Sequence, residues 1–223
     1  MSEKILIVPL SEEDVRSLNV GDVVYLKGPV YTSRDMGHFT LKQYLDEGKA
    51  LPVDFNGAAI FHAGPVVKKR DDGGYDLVVI GPTTSIRMEP YHEMVARLGV
   101  RGIIGKGGLA EDSLKQFAKS GQVYFQAAPG CAVSLAEGIE KIDGVYFLEH
   151  GVPEALWILR ARKFGPLVVG MDSHGKSIYA ESELVDRVFV PVNFKIQLAE
   201  ISAELDDVYP DLARRVSPGQ WRD

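Results

Sequence analysis

Residues 100–127 read VRGIIGKGGLAEDSLKQFAKSGQVYFQA. The apolar run 100–104 is short and stops at glycine, which predicts a buried strand. Residues 110–120 predict a helix, and 123–127 predict a second strand. Strand, helix and strand in this order predict a parallel α/β layer. The turn Gly105-Lys106-Gly107-Gly108 then falls at the carboxyl end of a parallel strand, where such sheets form their ligand crevice.

Working outward, the alternation continues in both directions. Upstream, residues 75–80 predict a strand that leads into a helix. Tyr91, Met94, Val95 and Leu98 follow the i, i+3, i+4, i+7 rule there, with Pro90 in the first turn. Residues 58–62 predict a strand, and 35–45 a helix with Met36, Phe39, Leu41, Tyr44 and Leu45 as its apolar face. Short strands are expected at 5–8 and 23–26, with a turn or a single helical turn over 15–20. The stretch Lys68-Lys69-Arg70-Asp71-Asp72-Gly73-Gly74 reads as a solvated hairpin tip. Downstream, a short helix starts near Cys131, strands are expected at 145–148 and 167–171, and residues 153–160 predict a helix between them. The early segments are richer in strands and predict a second β layer. After residue 182 the pattern weakens, with a helix candidate at 194–205 and a frayed end at 217–223.

Composition narrows the partners. A chain of 223 residues supports one sizeable core, or one core plus an appendage. Its net charge of −6 makes it a poor general polyanion binder, which argues against nucleic acid. No run of about eighteen apolar residues predicts a membrane span. The apolar run after Met1 is too short for a secretory signal. Cys131 is the single cysteine, so no internal disulfide framework is expected, and the cytoplasm is the expected compartment. One cysteine also cannot hold an iron–sulfur cluster, which takes three or four thiolates.

Three glycine-containing turns carry polar groups: Gly81-Pro82-Thr83-Thr84-Ser85-Ile86-Arg87, Gly105-Lys106-Gly107-Gly108 and Pro129-Gly130-Cys131. Glycine lets backbone amides approach a ligand, and the following helices offer free N–H groups to an anion. Arg34 and Arg87 stand just before expected helix starts, the wrong end for a cation facing the helix dipole. An anion between arginine and helix would resolve that conflict. Two arginines and Lys106 make a dicarboxylate site a reasonable expectation. Each feature also has an ordinary reading. A lone Arg before a helix is usually solvated or ion-paired, Thr83 and Thr84 fit turn and cap chemistry, and Cys131 fits a small buried hydrophobe. The Gly-Lys-Gly-Gly turn lacks the P-loop spacing, and the five histidines lack metal-ligand spacing.

The chain resembles the beta subunit, or the C-terminal half of the fused form, of the class I fumarase and L-tartrate dehydratase family. The segments that carry the resemblance run in order over about residues 5–185. They are Val20-Gly21-Asp22-Val23-Val24-Tyr25-Leu26, Tyr31-Thr32-Ser33-Arg34-Asp35, Leu51-Pro52-Val53-Asp54 and Phe61-His62-Ala63-Gly64-Pro65. They continue with Gly81-Pro82-Thr83-Thr84-Ser85-Ile86-Arg87-Met88, Ile104-Gly105-Lys106-Gly107-Gly108, Phe164-Gly165-Pro166-Leu167-Val168-Val169 and Met171-Asp172-Ser173-His174-Gly175-Lys176. Relatives usually read Arg-Asp-x-Ala-His at the arginine motif; here Gly37 replaces the alanine and His38 remains.

The resemblance implies a swivelling β/β/α three-layer domain over about residues 1–185, with an extension over 186–223. It implies a 4Fe-4S cluster on a partner alpha subunit, none on this chain, and a hetero-oligomer such as a dimer of heterodimers. The implied reaction is reversible hydration of fumarate to (S)-malate. Alternatives are dehydration of L-tartrate to oxaloacetate, or a non-catalytic binding domain of the same fold. Arg34, Arg87 and Lys106 would bind the substrate carboxylates, and Thr83 with Lys106 would be catalytic. Thr83 would move the proton, with help from a carboxylate of the partner chain. One iron of the cluster would act as Lewis acid on the hydroxyl. His38, Gly107 and Cys131 would be supporting residues.

Overall fold

A computed structural model of the chain describes residues 3–179. The helix candidate at 194–205, the end at 217–223 and the extension over 186–223 lie outside the described residues.

The fold is mixed α/β. Strand β1 (Lys4–Ile7) is followed by a short helix α1 (Glu12–Arg16), whose start is fixed by a reciprocal capping box between Ser11 and Asp14. Strand β2 (Val23–Thr32) feeds helix α2 (Asp35–Asp46), and β3 (Ala59–Phe61) feeds a hairpin of β4 (Ala63–Lys69) and β5 (Tyr75–Pro82). A 3-10 helix (Ser85–Tyr91) passes into α3 (His92–Arg97). Then come β6 (Gly102–Gly105), α4 (Glu111–Ser120), β7 (Val123–Ala127) and α5 (Ala132–Glu137). Two antiparallel strands, β8 (Ile139–Tyr146) and β9 (Leu156–Met171), complete the described chain.

Strands β1, β2, β3, β6 and β7 are parallel where they pair. The alternation predicted this for β6 and β7, whereas β1, β2 and β3, expected in a second β layer, join the same sheet. The seven-stranded sheet runs β1-β2-β3-β6-β7-β9-β8, and an antiparallel pairing of β2 with β9 closes it on itself. The period of two along each strand sorts the side chains. Phe61, Ile104, Phe125, Leu159 and Phe164 fill the inside of the closed sheet. Their neighbours Ile60, Ile103 and Tyr124 face outward, against Leu41, Val95 and Phe117 of α2, α3 and α4.

Four expectations need correction. Residues 153–160 are not a helix: Leu156 opens the sixteen-residue β9. Leu156 and Trp157 are both fully buried, one on each face, so the stretch reads as a continuous apolar run. Periodicity cannot separate such a strand from a buried helix. Strand β5 belongs to the β4–β5 hairpin and not to the parallel layer, although its charged tip lies where expected. Pro90 lies inside the 3-10 helix and not in the first turn of the α-helix, which begins at His92. Finally, α2 buries Gly37, His38 and Leu41 and leaves Met36 and Phe39 at the surface. Gly37 is tightly enclosed there, because a Cβ would lie 2.7 Å from Ser33 Oγ. No helix among the described residues is long and apolar enough to cross a membrane.

Candidate functional site

The carboxyl ends of β2, β3 and β6 bring Ser33-Arg34, His62 and Lys106 to one end of the sheet. The hairpin that leaves β3 returns through β5 and delivers Thr83 to the same place. Thr83 N–H donates to His62 O at 2.7 Å, Ser85 N–H to Lys106 O at 3.0 Å and Lys106 N–H to Thr83 O at 3.3 Å. The threonine and lysine loops are therefore joined backbone to backbone. Gly105 permits this approach: a Cβ there would lie 1.9 Å from Ser85 Oγ.

Arg87 joins them from the 3-10 helix. Its Nη2 donates to Thr83 Oγ1 at 3.2 Å and to Asp35 Oδ2 at 2.9 Å, and its Nε donates to Asp35 Oδ1 at 3.1 Å. Arg34 precedes α2, and its Nε lies 3.1 Å from Glu154 Oε1. That contact is an ion pair by distance, but the N–H is not directed at the oxygen, so Arg34 Nε is buried without a hydrogen-bond acceptor. The other oxygen of Glu154 accepts from Met36 N–H at 3.1 Å. The anion expected between Arg34 and the start of its helix is thus an internal carboxylate. Among the described residues, no carboxylate pairs with Lys106.

The Gly105-Lys106-Gly107-Gly108 turn does not offer its glycine amides to a ligand as the sequence suggested. Gly107 N–H donates to Gln126 Oε1 at 3.1 Å and Gly108 N–H to the Tyr124 hydroxyl at 3.3 Å. The start of α4 is already occupied by Glu89, which accepts from Ala110 N–H at 2.8 Å, Ser113 N–H at 3.0 Å and Ser113 Oγ at 2.7 Å. Gly105 and Gly108 serve close packing, against Ser85 and the ring of Tyr179, while Gly107 supplies a positive φ with open space around it. The side chains of Arg34, Thr83, Arg87 and Lys106 remain as the groups that can meet a ligand.

Beneath them lies a buried histidine pair. His38 Nδ1 is 2.9 Å from Arg34 O and 2.8 Å from Ser33 Oγ. A carbonyl can only accept, so Nδ1 carries the proton and Nε2 is left as a buried acceptor without a partner. Burial lowers the His38 pKa to about 4, against small opposing effects of Arg34 O and Asp35. The His62 ring packs edge-on to it, 5.2 Å between centroids, and is also held well below the usual histidine value by burial, His38 and Arg87. Both rings are neutral at pH 7 and line a cavity of about 10 Å³ with Met88, His92 and Phe117. His38 therefore supports the Arg34 turn from below and does not face the cation cluster. Cys131 is exposed, not a small buried hydrophobe as its residue type suggested, and it precedes α5, whose Ala132 packs on Gly81, so the third loop flanks the cluster without joining its hydrogen bonds. Asp35, Glu154, Glu89, Ser85, Tyr124 and Gln126 were not singled out from sequence. Asp35 and Ser85 stood inside motifs already quoted, but nothing in their spacing marked their partners.

No group of three His, Cys, Asp or Glu among the described residues is arranged to hold a metal, and Cys131 is the chain's single cysteine. These residues do not fit a 4Fe-4S cluster, which needs three or four thiolates.

The closed mixed sheet defines an α/β domain that gathers Arg34, Arg87 and Lys106 at one end. Residues 2–182 match the family model described as Fumarase C-terminus. The L(+)-tartrate dehydratase subunit beta of Escherichia coli K12 is 43% identical over 185 residues, 81% of this chain and 89% of that protein. A protein of Methanocaldococcus jannaschii, provisionally named L(+)-tartrate dehydratase subunit beta, is 47% identical over 174 residues, 77% of this chain and 89% of its own. A protein of Geobacillus stearothermophilus, provisionally named class I fumarate hydratase, is 44% identical over 176 residues, 78% of this chain but 33% of its own length. The chain belongs to this family, as a member of the beta-subunit type.

Proposed function

We propose that this chain is the beta subunit of an iron–sulfur-dependent hydro-lyase of the cytoplasm that adds water to fumarate, reversibly, in complex with an alpha subunit. The observation that carries the reading is the convergence of Arg34, Thr83, Arg87 and Lys106 at one end of the closed sheet. The family and the beta-subunit names of the relatives support the partner. We place the 4Fe-4S cluster on that partner, since this chain has one cysteine. Closure over the partner is the proposed swivelling motion, and a dimer of heterodimers the proposed assembly.

The chemistry follows from charge. In the dehydration direction, the proton leaves a carbon beside a carboxylate, and negative charge grows on that carboxylate. Cations aimed there act in the transition state more than in the ground state. Lys106 is the cation with no carboxylate partner among the described residues, so it is the first candidate for that charge. Arg87 keeps donors beyond those given to Asp35 and Thr83, and Arg34 lies beside them; both would hold the carboxylates in place. A hydroxyl is a weak base, but the Arg87 guanidinium 3.2 Å from Thr83 Oγ1 favours the anionic form of that oxygen. Thr83 would move the proton, with a carboxylate of the partner chain as relay.

L-tartrate is the second reading. It is supported by the names of relatives that are 43% and 47% identical, both L(+)-tartrate dehydratase beta subunits, the second provisionally so named. The test is co-purification with the partner and anaerobic assay on fumarate, malate and tartrate. Turnover of tartrate without turnover of fumarate replaces the first reading by the second. Partner binding without turnover of any C4 dicarboxylate leaves the third reading, a non-catalytic binding domain.

A further inference from the structure

We propose that Tyr124 and Ser85 are positioning residues for Lys106 and Thr83, acting through a buried hydrogen-bond chain from the Gly108 amide to the His62 ring. The proposal rests on the reading of Lys106 and Thr83 as substrate-facing groups.

The chain has three links. Gly108 N–H lies 3.3 Å from the Tyr124 hydroxyl, that hydroxyl 3.0 Å from Ser85 Oγ, and Ser85 Oγ 3.0 Å from His62 Nδ1. Tyr124 and Ser85 are 0% exposed and His62 is 1% exposed. The direction of donation follows from what each group can do. An amide only donates, so the Tyr124 oxygen accepts. The phenol proton then needs an acceptor, and Ser85 Oγ is the one available among the described residues. The Ser85 proton is left for His62 Nδ1, which must be unprotonated. His62 is therefore neutral, with its proton on Nε2.

This chain closes a loop in space. Lys106 and Thr83 are already joined above it by the backbone bonds of Ser85 N–H to Lys106 O and Lys106 N–H to Thr83 O. Tyr124 stands on β7 beside β6 and reaches under that junction to Gly108, two residues beyond Lys106. A second strut holds the same loop, as Gln126 accepts from Gly107 N–H and from the Tyr179 hydroxyl. The ring of Tyr124 fills the outer core, a task phenylalanine would do equally well. Its hydroxyl adds a desolvation cost that only its hydrogen bonds offset. What the hydroxyl contributes beyond packing is the tie between the two loops.

The test uses the full chain and its complex with the partner. Tyr124→Phe keeps the ring and removes the tie. Exchange of the Gly108 amide with deuterium should rise at least about tenfold, with the β6 and β7 amides unchanged. In the assembled enzyme kcat should fall roughly 10-fold or more while KM stays within about twofold, since the misplaced group acts in the transition state. Long-range proton–nitrogen spectra should show His62 protonated at Nε2 in the parent chain, and the Nδ1 form gaining population in Ser85→Ala. Unchanged Gly108 exchange and unchanged kcat in Tyr124→Phe, or an Nδ1-protonated His62 in the parent, would overturn the proposal. Should Ser85→Ala fail to fold, Tyr124→Phe decides alone. Absence of turnover in the parent complex sinks the functional reading, while the exchange and tautomer results still judge the tie.

Discussion

Arg87 and Asp35 face each other through two parallel hydrogen bonds, Nε to Oδ1 at 3.1 Å and Nη2 to Oδ2 at 2.9 Å. The pair fastens the 3-10 helix to the first residue of α2. Its side chains are 43% and 45% exposed, so it contributes less than about 1 kcal/mol to stability. Its effect is on direction: it aims the guanidinium that also touches Thr83. Asp35→Asn should leave the unfolding free energy in urea within about 1 kcal/mol of the parent, yet lower kcat/KM of the assembled enzyme roughly 10-fold. Parent-like kcat/KM would reduce the pair to surface decoration.

The three cations should separate in stability but not in activity. Lys106→Ala should cost within about 0.5 kcal/mol of folding, since its side chain pairs with no carboxylate among the described residues. Arg34→Ala should cost more, on the order of 1 kcal/mol, because it strips Glu154 of a half-buried ion pair. Each of Arg34→Ala, Arg87→Ala and Lys106→Ala should raise the barrier by about 2–4 kcal/mol. Near-normal turnover in all three would remove the proposed anion site.

Thr83→Val removes one hydroxyl and keeps the shape. Turnover should fall roughly 10²–10⁴-fold, with substrate still bound, if the hydroxyl moves the proton. Thr84→Val is the control, since Thr84 is exposed and its side chain makes no capping bond to the helix that follows. Exchange of the malate C3 proton with solvent deuterium is the direct measure. A parent rate in Thr83→Val would assign the proton to the partner chain alone.

The buried histidines set an acid limit on stability. His38 has a folded pKa of about 4 against 6.5 for the free side chain, so the unfolded chain binds a proton first as pH falls. The stabilisation is whole above pH 6.5 and is lost between there and pH 4. The loss is on the order of 3 kcal/mol, from about 1.4 kcal/mol per unit. His62 shifts in the same direction and adds to it. Unfolding in urea at pH 7, 5.5 and 4.5 should show this slope, and His38→Gln should flatten it. An equal slope in the variant would place the acid sensitivity elsewhere.

Iron analysis tests the division of labour between chains. The full chain purified alone should be colourless, hold no stoichiometric iron and leave fumarate unhydrated; addition of the partner under anaerobic conditions should restore turnover. A full complement of iron on this chain alone would contradict the single-cysteine argument.

The parallel strands and the cation loops were legible because each is local. Residues 100–104, 110–120 and 123–127 carry their own periodicity, and Arg34, Thr83, Arg87 and Lys106 lie in quoted motifs. The closure of the sheet was not legible. It depends on β9 pairing with β2 more than 120 residues away, and its first half, around Leu156 and Trp157, has the unbroken apolar pattern of a helix segment. The counter-charges were hidden for the same reason. Glu154 sits 120 positions from Arg34, and only the folded chain sets it against α2. The glycine turns misled in purpose rather than position: their amides were expected to wait for a ligand, and they bind Gln126 and Tyr124 instead.

The girdle formed by β2, β3, β6, β7 and β9 has a mechanical corollary. Each strand end that presents Arg34, His62 or Lys106 is laced to its neighbours on both sides, and the segment that leaves β5 through Thr83 into the 3-10 helix of Arg87 is buttoned to the same rim. The backbone positions of these groups are thus tied to one another. Under the proposed function, the rim would therefore meet a substrate as a stamp and not as a hand, pressed down and lifted as one face.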